Sequence, residues 1–188
     1  MADRDIRKTL ISLATIAVVL LVIVFILRNI AVSWAPARDQ YPVQGISVDQ
    51  SHGEIIWHVA GATGVDFAYI QATSGAEKRD ARFAANIEGA RESGIRYGAL
   101  HNYSLCRLAT DQATMFVTTV PRGNNMLPPA VRLAFDNGCG DRPGRALVLS
   151  ELNMFLNQIE AHSEKPAILA VSREFEEMYN ISSGIDRT

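Results

Sequence analysis

Side chains able to do chemistry are thinly scattered along this chain. Asp49 stands two residues past Ser47, and Asp136 two past Ala134, which is itself two past Arg132. Side chains alternate between the faces of an extended strand, so Ser47 and Asp49 share one face of theirs, and Arg132, Ala134 and Asp136 one face of another. Two carboxyl groups across a cleft suit general acid–base work, one giving a proton and the other taking one or stabilising positive charge. His52, His58, His101 and His162 show no metal-ligand spacing, so neither a metal nor a cofactor is expected. Gly138 and Gly140 flank Cys139 in a turn without a phosphate-binding fingerprint.

Holding Asp49 and Asp136 in place requires a sheet, and the pattern supplies one. Strands are expected over Gly45–Val48, Phe67–Ala72, Tyr97–Leu100, Ala130–Phe135 and Ala167–Val171. Helices alternate with them: one beginning at Glu54 and ended by Gly61 and Gly64, then Arg82–Ser93 capped by Gly94, Asp111–Val120, Arg145–Ala161 and Arg173–Tyr179. In the fourth helix Leu149, Leu152, Phe155, Leu156 and Ile159 recur at helical spacing, which directs them inward. Strands alternating with helices imply a parallel sheet that curls toward a barrel, with its site at the C-terminal ends of the strands. Residues 45–188 are few beside the roughly 250 of a complete eight-stranded barrel, so an incomplete α/β barrel of about five β/α units is expected.

The chain has 188 residues, 48% hydrophobic and 7% aromatic, with a net charge of −2, which excludes collagen-like, disordered and small disulfide-scaffold classes. Residues 1–43 carry five basic side chains (Arg4, Arg7, Lys8, Arg28, Arg38) and three acidic ones (Asp3, Asp5, Asp39). That leaves 13 basic against 17 acidic residues, a body of net charge −4 unsuited to nucleic acid. From Thr9 to Leu27 nothing is charged. At about 1.5 Å per residue this run spans roughly 28 Å, close to the hydrocarbon thickness of a bilayer. Basic residues before it favour a cytoplasmic N-terminus at residues 1–8 and a single-pass anchor at 9–27 in the inner (cytoplasmic) membrane. A linker at 28–44 then leads to a body at 45–188 on the periplasmic or extracellular side. Ala35-Pro36-Ala37 has the form of a signal-peptide cleavage site, but the apolar run exceeds the usual 7–15 residues or so, and an uncleaved anchor is expected.

Several segments in order then carry a resemblance: GISVDQSHGEIIWHVAGATGVDFAYIQATSG, RFAANIEGARESGIRYGALHNYSL, QATMF, LPPAVRLAFDNGCGDRP and ELNMFLNQIEAHSEKPAILAVSREF. Together they resemble the glycoside hydrolase family 25 lysozymes over residues 45–179. The resemblance implies an irregular β/α barrel of the TIM type, acting on the bond between muramic acid and glucosamine in peptidoglycan. It also implies that Tyr69, Gln71, His101 and Asn102 line the sugar site.

The family's catalytic carboxylates belong to a G-I-D-V-S first strand and to a D-x-E pair on the strand after L-P-P. Here those positions hold Ser47, Arg132 and Ala134. A hydroxyl is far too weak an acid to serve, a methyl has no proton to give, and a guanidinium opposes a cationic transition state. Asp49 and Asp136 are the possible substitutes, each displaced by roughly 6–7 Å along its strand. The aromatic pair of the family's Y-H-F strand is replaced by Leu100 and Asn102, and the family's final strands and W-Q-Y-like element have no counterpart before Thr188. The expected protein is a membrane-anchored, lysozyme-like module facing peptidoglycan or a related glycan and lacking hydrolytic activity. Its alternative is an active muramidase using the relocated carboxylates. Cys106 and Cys139 follow strands that the alternating order places side by side, so an oxidising compartment favours a disulfide between them over two buried free thiols.

Overall fold

A computed structural model of the chain describes residues 2–33, 35–123, 125–136 and 138–185. Two compact units emerge, Met1–Pro42 and Val43–Thr188. The first is built on α1 (Ala2–Ser33), which contains the expected span of residues 9–27 whole. Within it Leu13–Ala31 is long and apolar enough to cross a membrane, a property shared with signal sequences. Every side chain of that stretch is exposed, although a helix this apolar on all sides is a pattern of protein cores and membrane spans. The side chains of Arg4, Arg7 and Lys8, on which the expected orientation rests, lie outside the described residues, as do residues 186–188.

The second unit alternates β1 (Gly45–Val48), α2 (Trp57–Ala62), β2 (Phe67–Ser74), β3 (Lys78–Arg79), α3 (Phe83–Glu92), β4 (Arg96–Asn102), α4 (Ala109–Thr119), β5 (Ala130–Leu133), α5 (Arg145–Ser163), β6 (Ile168–Val171) and α6 (Arg173–Tyr179). The main strands form a parallel sheet in the order β1-β2-β4-β5-β6, and β3 adds an antiparallel step onto β2. The sheet curls into a half-barrel. Among the described residues β1 and β6 remain its two ends, so the barrel is open.

Burial follows the strand period. On β2, Ala68, Ile70 and Ala72 are fully buried against the helices, whereas Phe67, Tyr69 and Gln71 on the opposite face are only partly covered. A bulge after Gln71 adds Thr73 to the buried side and returns Ser74 to the open one. On α5 the buried stripe is Val148, Leu152, Phe155, Leu156 and Ile159, with Leu149 partly covered beside it. Each large side chain fully buried in this way contributes about 1.5–3 kcal/mol relative to exposure. Gly94 closes α3 in a left-handed conformation (φ 69°), its own N–H donating to Arg91 and that of Ile95 to Ala90. These paired bonds form a Schellman motif, and the buried Ile95 side chain completes it.

Two local expectations shift. The helix expected from Glu54 starts at Trp57, because Gly53 (φ 71°) turns the chain and residues 54–56 then run non-helically, with Ile55 and Trp57 inward and Glu54 and Ile56 exposed. The strand expected to reach Phe135 ends at Leu133, whose carbonyl accepts from the N–H of Ser172 as the neighbouring strand also ends. The short β3 and the 3-10 turn Gln50–His52 carry no period long enough to read from sequence.

Cys106 and Cys139 are joined, with Cα atoms 5.7 Å apart. The bridge ties the loop after β4 to the loop after β5, the neighbouring strands that the alternating order paired. Closing a separation of 33 residues restricts the unfolded chain. By the chain-entropy relation this stabilises by about 3–4 kcal/mol. Replacing both cysteines by serine is expected to lower the denaturant midpoint of the full chain in detergent micelles accordingly. An unchanged midpoint, or two alkyl groups added to the unreduced parent in an intact-mass measurement, would refute this.

Candidate functional site

At the C-terminal end of the sheet Gln71 on β2, Asn102 on β4 and Arg132 on β5 form a polar floor on one face, with the exposed Ser47 of β1 at its edge. Three strand spacings separate β1 from β5, roughly 14 Å on a flat sheet. Curling closes that gap, and Arg132 Nη2 donates to Ser47 Oγ at 3.1 Å. Between them Asn102 Nδ2 donates to Gln71 Oε1 at 2.6 Å, while Asn102 Oδ1 is buried with no protein partner. Above this floor lies a cavity of about 380 Å³ whose walls include Gln50, Lys78, Asp80, Tyr103, Ala134 and Asp136.

The carboxylates near the cavity are engaged in holding loops. Asp49 Oδ1 accepts from Ser51 Oγ at 2.5 Å and from the Ser51 N–H at 2.7 Å, and His52 completes the capping box of the short 3-10 turn. The Ser51 hydroxyl, aided by its N–H and by the adjacent His52, holds the Asp49 carboxyl below its usual range against a smaller opposing effect of burial. A carboxyl so stabilised as the anion is a poor proton donor. Asp136 is exposed at the rim and accepts from the Gly138 N–H at 2.9 Å. The carboxylate that sequence reasoning passed over is Asp80, only 7% exposed. Its two oxygens accept from the N–H groups of Gln50 (2.7 Å) and Arg82 (2.9 Å), clamping the loop after β1 to the start of α3. An Asp just ahead of a helix start was its one signal. Lys78, also passed over, reaches the cavity from β3.

Tyr69, Gln71, His101 and Asn102, expected together at the sugar site, separate. Gln71 and Asn102 line the cavity. Tyr69 shares the open face of β2 two residues before Gln71; its hydroxyl donates to the Pro128 carbonyl at 3.0 Å, and its partial burial raises its pKa. His101 lies on the other face, fully buried, between Thr73 Oγ1 (2.7 Å from Nδ1) and Gln112 Oε1 (3.2 Å from Nε2), with the Phe155 ring 4.7 Å away. It is a polar element of the sheet–helix core, placed there by the alternation that leaves Asn102 facing the cavity. Among the described residues no three His, Cys, Asp or Glu side chains are grouped to hold a metal ion.

Residues 46–187 match the sequence model described as glycosyl hydrolases family 25. The chain belongs to this family. Over 63 residues it is 44% identical to lysozyme M1 of Streptomyces globisporus, a match covering 34% of this chain and 21% of that protein. Among solved structures it is similar to a family 25 glycosyl hydrolase from Bacillus anthracis, at 30% identity and a TM-score of 0.69, covering 73% of this chain and 64% of that one. A bacterial lysozyme from Streptomyces coelicolor matches at 26% identity and a TM-score of 0.67, covering 75% of this chain and 67% of that one. The match thus spans under a quarter of the length of lysozyme M1 and about two thirds of these two solved chains. These likenesses establish the lysozyme-like fold.

Burial pushes the His101 imidazole down to about 4, against a smaller upward effect of its Gln112 hydrogen bond. The fold therefore holds it neutral where an unfolded chain, with a pKa near 6.5, already binds a proton. Its contribution to stability is complete above about pH 6.5 and declines toward pH 4, by on the order of 3 kcal/mol. Denaturant midpoints should fall across that window, and the His101 ring signals in NMR should not titrate above about pH 5. A ring titrating near 6.5 would contradict the burial.

Proposed function

We propose that this chain is a membrane-anchored, lysozyme-like module that binds peptidoglycan or a related glycan without hydrolysing it. The observation carrying this reading is the Arg132–Ser47 hydrogen bond across the cavity floor. Two positions where family resemblance expects catalytic carboxylates here hold a cation and a hydroxyl bonded to each other, and the third, Ala134, has no proton to give. Glycoside cleavage passes through an oxocarbenium-like state, which a fixed guanidinium destabilises and a carboxylate stabilises. Acid–base catalysis alone supplies about 10²–10⁴-fold. Asp49, spent on its own turn, and Asp136, at the exposed rim, make poor replacements. Binding needs only hydrogen bonds and walls, and Gln71 and Asn102 retain these.

The anchor in this proposal is the apolar segment of α1, with residues 43–188 outside the cytoplasm, where the Cys106–Cys139 bridge would be stable. Protease added to spheroplasts should digest that unit while cytosolic markers survive; its protection would sink the topology.

Full-length protein in detergent should release no reducing ends from purified cell walls above a blank, beside a family 25 lysozyme as positive control, while sedimenting with those walls. Robust turnover abolished by Asp49→Asn or Asp136→Asn would overturn the reading in favour of relocated catalysis. Failure to sediment would remove the binding role. Restoring Ser47→Asp, Arg132→Asp and Ala134→Glu together is expected to leave the open half-barrel inactive.

A further inference from the structure

We infer that the cavity recognises an oxyanion, a carboxylate or phosphate carried by a wall polymer, through the guanidinium of Arg132. This deepens the proposed wall binding and rests on it. Arg132 is partly buried on the cavity floor, and among the described residues its one hydrogen-bond partner is the neutral Ser47 hydroxyl. Among the described residues it forms no ion pair within 4 Å. A partly desolvated cation is unfavourable unless something negative faces it. A guanidinium has five N–H donors in a planar fork, and one contact to Ser47 leaves the others for a ligand. Two parallel bonds from such a fork fit a carboxylate or a phosphate.

The surroundings agree. Lys78 lines the same cavity and likewise forms no ion pair among the described residues. Of the other charged groups there, Arg79 donates to Met115 and Thr118, both Asp80 oxygens are taken by backbone N–H groups, and exposed Asp136 accepts from Gly138. Next to Arg132 in strand register stands Asn102, whose buried Oδ1 lacks a protein donor. The remaining donors of this fork suit a ligand bearing an anionic group, as sugar acids and peptide-substituted sugars do.

The test is calorimetric titration of the full chain in detergent with N-acetylmuramyl dipeptide in its free-acid form, with the same compound as its amide, and with glycerol phosphate. The acid is expected to bind at least about tenfold more tightly than the amide, with the preference erased by Arg132→Gln and partly kept by Arg132→Lys. Glycerol phosphate binding with the same Arg132 dependence would support the inference and assign the oxyanion to phosphate. Equal affinity for acid and amide with no binding of glycerol phosphate overturns it, as does a preference that survives Arg132→Gln. Should that variant fail to fold, salt decides in the parent chain, since rising ionic strength must weaken acid binding and spare the amide. Walls sedimenting with a chain that ignores the ligand's charge would defeat this inference alone. Arg132-dependent acid binding without sedimentation would defeat the wall reading instead.

Discussion

A parallel sheet ordinarily buries both faces, and here the helices cover one. That asymmetry governs the second unit. Ala68, Ile70, Ala72, Val131 and Leu133 are sealed against the helical layer, while the positions between them look into an open trough. The trough face of β6 illustrates the consequence: Ile168 stays 47% exposed in a strand that a closed barrel would cover. Stability therefore comes from the sheet–helix layer, and the trough is free to carry polar groups that a filled barrel interior could not.

Those polar groups define what the cavity can do. Curl brings β1 and β5 close enough for Arg132 to reach Ser47, so the floor is spanned by a guanidinium instead of by acids. The nearby carboxylates are structural. Asp80 knits the loop after β1 to α3, and Asp49 caps the turn that follows its own strand. A site assembled this way offers hydrogen bonds and positive charge to a ligand.

The bulge after Gln71 couples the two faces. By adding one residue to β2 it turns Thr73 toward His101 in the core and returns Ser74 to the cavity wall. Around it the Cys106–Cys139 bridge fixes the loops following β4 and β5, which bound the same cavity. Core, rim and floor thus depend on the strand ends lying at one level.

The apolar run of α1, the alternation of strands and helices, the pairing of the cysteines and the family resemblance were all legible in residue order. Each depends on local periodicity or on ordered motifs, which a sequence displays directly. The open barrel was also foreseeable, from the number of β/α units. Which side chains meet was not. Sequence reasoning set His101 beside Asn102 at the sugar site, but alternation puts neighbours on opposite faces, and only knowledge of which face is covered sends His101 to the core. Asp80 and Lys78 escaped notice because their surroundings come from distant segments: Gln50 meets Asp80 across 30 residues, and Lys78 reaches the cavity from the short β3. The contact between Arg132 and Ser47 spans 85 residues and depends on the curvature of the whole sheet, which no local pattern encodes.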